Sequence, residues 1–450
     1  MRCRCFRIFA AVGGSAKQAA QHFATARERT QTLSYFSAPH SSRIIMSTAQ
    51  NLIAIEHDVI LQTYKRIPVV ADRAEGCRIT DVQGVTYLDM LSGIAVNALG
   101  YSHPRILEAI ASQSARYLHL SNLFYQEPQI RLAEKLVKLT GYSKVLYSNS
   151  GAESWDAAIK LARQHGNACG KVGNIIGFSG GFHGRTYGAL STMDKPLYKE
   201  GMGPFLPDTA ILPFNDSDAL RAAVNEKTCA VGLEFIQGEG GIRSVSAEFV
   251  ATLAELRERF GFLVIADEVQ TGVGRTGHFF AFEPYHFTPD IVTVAKGIGG
   301  GLPLGAVLVS DALSTTWKQG QHGSTYGGNA LACATGLVVM EELENGLLEH
   351  VRSVGEYLHR SLKTLCESYA GYVTEIRGCG LMAGVVVSEE STPLRDALLA
   401  RRVITSATAS NVIRIVPPLV ISTEDIDECM AALRSAIEER IAVVAASTQA

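Results

Sequence analysis

The sequence predicts an α/β protein with a mostly parallel central sheet covered by helices, followed by a smaller α+β domain. Between about residues 140 and 345, short apolar segments rich in β-branched residues alternate with amphipathic segments, as in parallel strands joined by helices. After about residue 350, helical segments alternate with short strands such as "MAGVVVS" and "NVIRIVPPLVI". A chain of 450 residues is long enough to bury a large core and to divide into such domains.

The α/β part is predicted from its strands and helices in turn. The strands are the segments 144–148, 229–235, 262–269, 290–295 and 305–310. The first leads through the turn "NSGAES" into the helix "WDAAIKLARQHG", which is expected to stop at Gly166. A second helix is predicted over 247–261, between Ser246 as its N-cap and Gly261 as its stop. A third helix, over 330–346, leads into the second domain.

The chain is predicted to have four segments. They are an extension at 1–45, an N-terminal segment at 46–115 that packs on the other domains, a large domain at 116–345 and a small C-terminal domain at 346–450. The extension is rich in arginine and holds one acid, Glu28, a composition that resembles an organelle transit peptide. Otherwise it is disordered, or is upstream sequence read through to a start at Met46.

Composition excludes several classes of protein. A formal net charge of -3 leaves no basic footprint for nucleic acid, and no apolar run reaches the roughly 20 residues of a membrane span. Nine cysteines without a CxxC pair indicate free thiols in a reducing compartment. We therefore expect a soluble, cytoplasmic protein, or one of an organelle matrix if the extension is a transit peptide. No HExxH and no Cys/His spacing predicts a metal site.

Unusual residues stand at three predicted strand ends. The small residues of "NSGAES" let backbone N–H groups converge on an anion at a helix start, although an ordinary tight turn has the same composition. Asp267 ends an apolar strand, where a buried carboxylate needs a partner. That partner is a functional group or simply the cation of a structural salt bridge. Lys296 ends another strand and precedes several glycines, so it is either a lysine that reaches water or a reactive amine.

Pyridoxal phosphate accounts for all three strand ends together. That cofactor requires a lysine amine, a carboxylate for its ring nitrogen and an anion cradle for its phosphate. Lys296, Asp267 and the turn at 150–152 supply these groups, and the carboxyl ends of such strands are where ligands bind. The glycines after Lys296 let the chain turn sharply beside a bulky ring.

Six motifs extend this interpretation to a family. In order they are "NSGAE", "FHGRT", "EFIQGEGG", "DEVQTGVGRTG", "AKGIGGGLPLGA" and "HGSTYGGNALACA". From about residue 47 to 435, the chain resembles a class III (ω-) aminotransferase of the fold-type I pyridoxal-phosphate superfamily. Within that class, "LSGIAVNALGYSHP" and "LSNLFYQEPQ" are most similar to the acetylornithine aminotransferases.

The resemblance implies roles for the cofactor-binding residues of the large domain. Lys296 corresponds to the Schiff-base lysine and Asp267 to the partner of the ring nitrogen. Thr325 corresponds to a phosphate ligand from the other subunit, which implies a homodimer with shared active sites. The remaining cofactor contacts implied by the resemblance are Ser150, Gly151, Ala152, Phe182, Glu268, Val269 and Gln270.

The resemblance also implies substrate contacts and a reaction. Arg185 and Ser324 correspond to substrate contacts, and Arg414 to the arginine that clamps an α-carboxylate. Glu234 corresponds to the acid that pairs with that arginine when no carboxylate is bound. The implied reaction moves the terminal amine of N2-acetylornithine to 2-oxoglutarate, as in arginine biosynthesis. Ornithine, succinylornithine, 4-aminobutyrate and an acetylated or carrier-linked lysine are the alternative donors.

The chain departs from the family after "GAE", where Ser154 and Trp155 replace the usual Ala-Asn. The indole puts the packing near the phosphate in question, though not the cradle, which is backbone. His183 in "FHGRT" is interpreted as a satisfied loop histidine. Two other interpretations are a dinucleotide-dependent oxidoreductase, from "GVGRTG" at 272–277, and a non-catalytic relative. The first lacks the strand–turn–helix context, and the second has no need of Lys296.

Overall fold

The structure is a computed structural model that describes residues 48–448. The chain divides into two units, one ending at Ile60 and the other beginning at Leu61. The described part of the first unit forms helix α1, Thr48–Val59. The second unit holds the strands and the other helices of the described chain. The predicted extension at 1–45 lies outside the described residues.

Strands β1 to β17 follow one another along the second unit. They are Ala71–Glu75, Arg78–Asp81, Thr86–Asp89, Lys144–Ser148, Asn174–Phe178, Thr209–Leu212, Thr228–Leu233, Ile236–Gln237, Arg243–Ser244, Leu263–Asp267, Ile291–Val294, Gly305–Val309, Val373–Cys379, Met382–Val387, Val403–Ile404, Ser406–Thr408 and Val412–Ile415.

Helices α2 to α12 lie between these strands and after the last of them. They are Ser92–Ala95, Pro104–Arg116, Glu127–Thr140, Gly151–Ala168, Tyr187–Ser191, Ser217–Ala223, Ala247–Phe260, Ala330–Glu342, Leu348–Ser368, Ser391–Ala400 and Thr423–Thr448. Short 3-10 turns are Pro196–Tyr198, Glu283–Tyr285, Lys296–Gly299 and Asp311–Leu313, and a π-turn spans Leu343–Leu347.

The central sheet has seven strands in the order β4-β12-β11-β10-β7-β5-β6. Strand β10 is parallel to β11 and β7, and β5 is parallel to β7 and β6. Strand β12 runs against β11 and β4. The prediction of a mostly parallel sheet is therefore confirmed. Strands β5 and β6 were not predicted, because apolar runs this short do not distinguish a strand from a buried helix.

Helix α5 packs on β7, β11 and β12 and corrects one prediction. Gly166 lies inside this helix rather than at its stop. A Cβ at that position would collide with the sulfur of Cys229 in β7, so the glycine permits close packing of helix on strand. The chain leaves the helix at Cys169 and turns at Gly170, whose φ is 77°.

Two other predicted helices have different outcomes. Helix α8 has its predicted caps, since Ser246 accepts a hydrogen bond from the Phe249 N–H and Gly261 is left-handed with a φ of 64°. Helix α9 ends at Glu342, earlier than predicted. The chain there enters the π-turn, where Gly346 has a φ of 107° that no helix allows.

Two four-stranded sheets complete the fold. The C-terminal sheet has the antiparallel order β13-β14-β17-β16, with α10 packed on β13 and α11 on β16 and β17. The N-terminal sheet has the order β1-β2-β3-β15, and Leu88 pairs in parallel with Val403. This pairing ties the N-terminal strands to the C-terminal part of the chain. The predicted segment boundaries stay predictions.

Buried apolar side chains form two clusters. The smaller one lies around Trp155, between α5 and the central sheet. The larger one lies on the other side of that sheet and extends to the C-terminal helices. Within residues 48–448, none of the helices combines the length and apolarity that crossing a bilayer requires.

Candidate active site

A cavity of about 340 Å³ opens at the carboxyl edge of the central sheet. The segments that follow β4, β5, β7, β10 and β11 line it, which is where ligands bind in sheets of this kind. Most of the residues predicted from the sequence meet here. They are Ser150, Gly151, Ala152, Phe182, Glu234, Asp267, Val269, Gln270 and Lys296.

Lys296 leaves strand β11 in a strained conformation. Its φ is 51°, in the left-handed region that residues with a side chain rarely adopt. Burial, and then the charge of Arg414, lower the pKa of the Lys296 ammonium to about 8. A lysine with such a pKa is available as a nucleophile near neutral pH. Strain and a lowered pKa at one residue indicate a functional amine rather than a solvated strand end.

The turn between β4 and α5 is built as an anion cradle. Ser150 caps the helix, and its hydroxyl accepts the Glu153 N–H at 3.2 Å. The Glu153 carboxylate in turn accepts the N–H of Asn149, the residue before the cap, at 2.6 Å. A Cβ on Gly151 would lie 2.6 Å from Val269 Cγ1, so this position admits only glycine. The N–H groups of the first turn and the helix dipole then favour an anion in the cavity.

Asp267 has the partner that its burial requires. Its Oδ2 lies 2.6 Å from His183 Nδ1, and its Oδ1 accepts the Val269 N–H at 3.0 Å. The carboxylate is 3% exposed and lines the cavity. His183 lines the cavity as well, and its ring stacks on Trp155. The sequence interpretation of a satisfied loop histidine holds only for Nδ1, whose partner is the predicted cofactor acid, because Nε2 is buried without a hydrogen-bond partner among the described residues.

Glu234 anchors the loop that carries Phe182. Its Oε2 accepts the Phe182 N–H at 2.9 Å, and its Oε1 accepts the Gly238 N–H at 3.1 Å. Burial, and then the charge of Asp267, raise the pKa of Glu234 to about 8. Glu234 thus holds Phe182, a predicted cofactor contact, at the cavity wall.

The acid paired with Arg414 is Glu239, so the predicted pairing with Glu234 is wrong. Arg414 Nη1 contacts the Glu239 carboxylate and lies 3.2 Å from Gln270 Oε1. Burial raises the pKa of Glu239, but the charge and hydrogen bond of Arg414, together with the charge of Lys296 and the hydrogen bond of Gln270, lower it overall. Glu234 directly follows β7, whereas the turn between β8 and β9 carries Glu239 toward β17. The second acid of "EFIQGEGG" was the signal that could have identified it.

Glu268 does not contact the cavity, which corrects its predicted role as a cofactor contact. Successive residues along extended backbone point to opposite sides, so Glu268 faces away when Asp267 faces the cavity. Its carboxylate accepts hydrogen bonds from the Thr271 hydroxyl at 2.5 Å and from the Phe282 N–H at 3.2 Å. Burial raises the pKa of Glu268 to about 8. Its contacts are structural.

Besides Glu268, four predicted residues are not among those that line the cavity, namely Arg185, Ser324, Thr325 and Arg414, and their roles stay predictions. The guanidinium carbon of Arg185 is 3.5 Å from the ring centroid of Tyr198. The Ser324 hydroxyl accepts a hydrogen bond from the Asn149 side chain at 3.1 Å. Thr325 is exposed, as a contact to a second subunit requires.

The segment Ser92–Ala95 is a left-handed turn that leads to the cavity. Its four φ values are 48°, 64°, 65° and 60°, which is strained for the β-branched Ile94. Asp89 holds the turn by accepting the Ser92 N–H at 3.0 Å, and the Ser92 hydroxyl donates to a backbone carbonyl at 2.6 Å. The turn brings the apolar Val96 to the cavity wall.

The segment "GVGRTG" forms a series of turns rather than a nucleotide loop. It is followed by a 3-10 turn and strand β11, not by a helix. Arg275, which is 2% exposed, donates to the Leu381 carbonyl at 3.1 Å and to the Pro417 carbonyl. This arginine ties the segment to the C-terminal chain, so the motif has a structural explanation.

The residues of the cavity fit pyridoxal phosphate. The amine of Lys296 would hold its carbonyl group, Asp267 its ring nitrogen and the N–H groups at 150–152 its phosphate. Because Gly151 has no side chain, the start of that helix can approach Val269 closely. Among residues 48–448, no group of three or more His, Cys, Asp or Glu could hold a metal ion. Fold and site together define a pyridoxal-phosphate-dependent enzyme.

Comparison with known proteins identifies the family. The chain belongs to the class-III aminotransferases, whose family pattern matches residues 59–437. It is 42% identical over 392 residues to the acetylornithine aminotransferase of Caldanaerobacter subterraneus, covering 86% of this chain and 99% of that one. It is 41% identical over 387 residues to the enzyme of the same name from Vibrio cholerae, covering 84% and 96%.

Solved structures agree with this family. The ornithine aminotransferase of Toxoplasma gondii superposes with a TM-score of 0.84 at 28% identity, covering 88% of this chain and 96% of that one. The acetylornithine aminotransferase of Elizabethkingia anophelis superposes with a TM-score of 0.78 at 34% identity, covering 87% and 99%. The fold is therefore common to enzymes named for different donors.

Proposed function

We propose that this chain transfers the terminal amine of N2-acetylornithine to 2-oxoglutarate, giving N-acetylglutamate 5-semialdehyde and glutamate. The observation that carries the proposal is a buried arginine, Arg414, close enough to lower the pKa of the reactive amine of Lys296. Such a pair suits substrates that carry a carboxylate at one end and react at the other. The relatives at about 40% identity that bear this enzyme's name support the choice of donor.

The side chains of the cavity have separate tasks in this reaction. Pyridoxal phosphate, when bound, supplies a carbonyl that takes up the amine and a ring that withdraws electrons. Asp267 holds the proton on the ring nitrogen as a charge-assisted pair. The neutral Lys296 Nζ takes the proton from the donor carbon that bears the amine. Arg414 binds the substrate carboxylate after its ion pair with Glu239 has separated.

The choice between acetylated and free ornithine depends on the wall near the Ser92–Ala95 turn. Free ornithine presents an α-ammonium to this wall, whereas acetylornithine presents a neutral amide. Val96 is apolar there, and burying an unpaired ammonium against it would cost several kcal/mol. Tyr64 is 73% exposed and is not among the residues that line the cavity.

The test compares kcat/KM for the two donors at one fixed, saturating concentration of 2-oxoglutarate. We expect acetylornithine to be preferred by at least about tenfold, which requires only about 1.4 kcal/mol. Val96→Thr should narrow the preference by adding a hydroxyl, and Val96→Ala, which adds none, is the matched control. Succinylornithine, 4-aminobutyrate and acetyllysine complete the panel. Equal or reversed values would refute the acetylornithine assignment and leave the aminotransferase activity intact.

We also propose a homodimer with shared active sites. The support is a patch of exposed apolar residues in the loop before α4: Leu123, Phe124 and Tyr125 are 89%, 63% and 98% exposed. Asn122 in this loop donates to the Ser324 carbonyl at 3.0 Å, and Tyr326 is 60% exposed. A second copy covering this patch would bury its apolar surface and bring Thr325 to the neighbouring cavity.

Light scattering on purified protein tests the dimer. Phe124→Asp should yield monomers, whereas Val172→Asp, at an equally exposed valine in another loop, should not. Hybrids of Lys296→Ala and Thr325→Val subunits test the sharing. If Thr325 acts on the partner's site, each hybrid keeps one intact site and regains activity. A hybrid without activity would refute the shared site.

We propose a cytoplasmic location, supported by the free thiols of all the described cysteines. An organelle matrix is the alternative if residues 1–45 direct import. Fluorescent fusions of the full chain and of a chain starting at Met46 distinguish the two, because only import requires the extension.

A further inference from the structure

Trp155 and His183 form a parallel stack behind Asp267. Their ring centroids are 3.7 Å apart and their planes differ by 6°. Both side chains are buried, at 0% and 3% exposure. The indole is itself fixed, because its Nε1–H donates to the Thr192 hydroxyl at 3.0 Å and that hydroxyl donates to the Ala189 carbonyl at 3.0 Å.

The indole occupies a space that a side chain on strand β7 would otherwise fill. Gly232 lies under it, and a Cβ there would be 2.6 Å from Trp155 Cη2. The outer edge of the indole therefore lies close to the backbone of strand β7, and its face stacks on the imidazole.

Polar contacts alone do not fix the His183 ring. Its Nδ1 contacts Asp267 Oδ2 at 2.6 Å, but its Nε2 is buried with no hydrogen-bond partner in the described part of the chain. A ring with one hydrogen bond keeps some freedom to turn about its Cβ–Cγ bond. The stack on Trp155 removes this freedom, so the plane of the imidazole, and with it the position of Asp267 Oδ2, depends on the indole.

We infer that Trp155 is a positioning residue that acts through His183 to align the carboxylate of Asp267 with the ring nitrogen of pyridoxal phosphate. The other oxygen of Asp267 is held by the Val269 N–H at 3.0 Å, so both oxygens have a fixed direction. The inference goes beyond the proposed donor and rests on the cofactor site alone.

The test measures the protonation of the ring nitrogen in the holoenzyme. The method is 15N NMR of nitrogen-labelled pyridoxal phosphate across a pH series. A well-aligned carboxylate keeps that nitrogen protonated to high pH. Trp155→Leu should lower the midpoint of its deprotonation by about one pH unit, and His183→Phe by at least as much. kcat should fall about tenfold, with the KM values of both substrates nearly unchanged.

Phe249→Leu is the matched control, since Phe249 is a fully buried aromatic residue on α8. It should lower the melting temperature without moving the midpoint. Thr192→Val is a milder second variant that keeps the indole but removes its hydrogen bond, and it should shift the midpoint in the same direction by less. An unchanged midpoint in both Trp155→Leu and Thr192→Val would reduce Trp155 to core packing. A wild-type protein that binds no pyridoxal phosphate would instead refute the site itself.

Discussion

Arg414 and Glu239 form an ion pair, and Gln270 contacts the same guanidinium nitrogen at 3.2 Å. The arginine side chain is 3% exposed, whereas that of Glu239 is 31% exposed. The acid is therefore the partner that is free to move into solvent. A substrate carboxylate that binds Arg414 competes with an internal carboxylate, and the affinity for that substrate includes the cost of separating the pair.

Replacing Glu239 by glutamine should strengthen the binding of 2-oxoglutarate. The amide keeps the shape of the side chain but leaves Arg414 without a competing negative charge. We expect the KM for 2-oxoglutarate to fall severalfold when it is measured at a saturating amino donor. Arg414→Lys should have the opposite effect, because an ammonium lacks the bidentate fork.

Glu234→Gln is the comparison variant for this prediction. Glu234 accepts two backbone N–H groups and is not part of the pair, so this change should not lower the KM for 2-oxoglutarate. A lower KM in Glu234→Gln with an unchanged KM in Glu239→Gln would restore the pairing that was predicted from the sequence.

The amine of Lys296 should capture pyridoxal phosphate covalently in a pH-dependent manner. With a pKa of about 8, the fraction of neutral amine increases as the pH rises from 6.5 through 8, roughly, and the capture rate of cofactor-free protein should rise with it. Borohydride reduction followed by mass spectrometry measures the capture. In Lys296→Ala the cofactor should bind without being fixed and turnover should be lost. Cofactor fixed to Lys296→Ala by borohydride would disprove the role of this lysine.

Asp267→Asn should preserve the fold and abolish most of the activity. An amide cannot hold a proton on the ring nitrogen as a carboxylate does, and it also changes the contact at 2.6 Å to His183. We expect kcat to fall by about 100-fold or more, with an unchanged circular dichroism spectrum. Turnover close to that of the wild type in a folded Asp267→Asn protein would exclude this acid from the cofactor's environment.

Glu268 should make stability depend on pH in the direction opposite to most carboxylates. Its pKa in the folded protein, about 8, lies above that of the unfolded chain, so the folded state binds the extra proton. Its contribution to the free energy of unfolding is fully present below about pH 4.5 and is lost as the pH rises through 8, by a few kcal/mol. Glu268→Gln removes this dependence.

Urea unfolding of wild type and Glu268→Gln at pH 5, 7 and 9, roughly, measures the difference. We expect the stability of the wild type relative to the variant to fall steadily across this series. A difference that stays constant with pH would mean that Glu268 titrates alike in the folded and unfolded chain.

The sequence by itself determined the cofactor site. Lys296, Asp267 and the turn at 150–152 each stand at the end of a recognisable strand, and parallel strands present their carboxyl ends at one edge. Their meeting in one cavity follows from that geometry, so no knowledge of long-range packing was needed. The same holds for helix α8, because its caps are local hydrogen bonds within one turn.

Tertiary structure alone decided the contacts between distant segments. Glu234 and Glu239 share one motif, and the choice of the second as partner of Arg414 depends on the turn after β8 and on the position of β17, which comes far later in the chain. Gly166 is a residue type that commonly ends a helix, but it lies inside α5 and packs against Cys229. Trp155 looked like an obstacle near the phosphate and instead supports His183. In each case the deciding contact joins residues whose separation in sequence carries no periodic signal, so only the packed chain selects it.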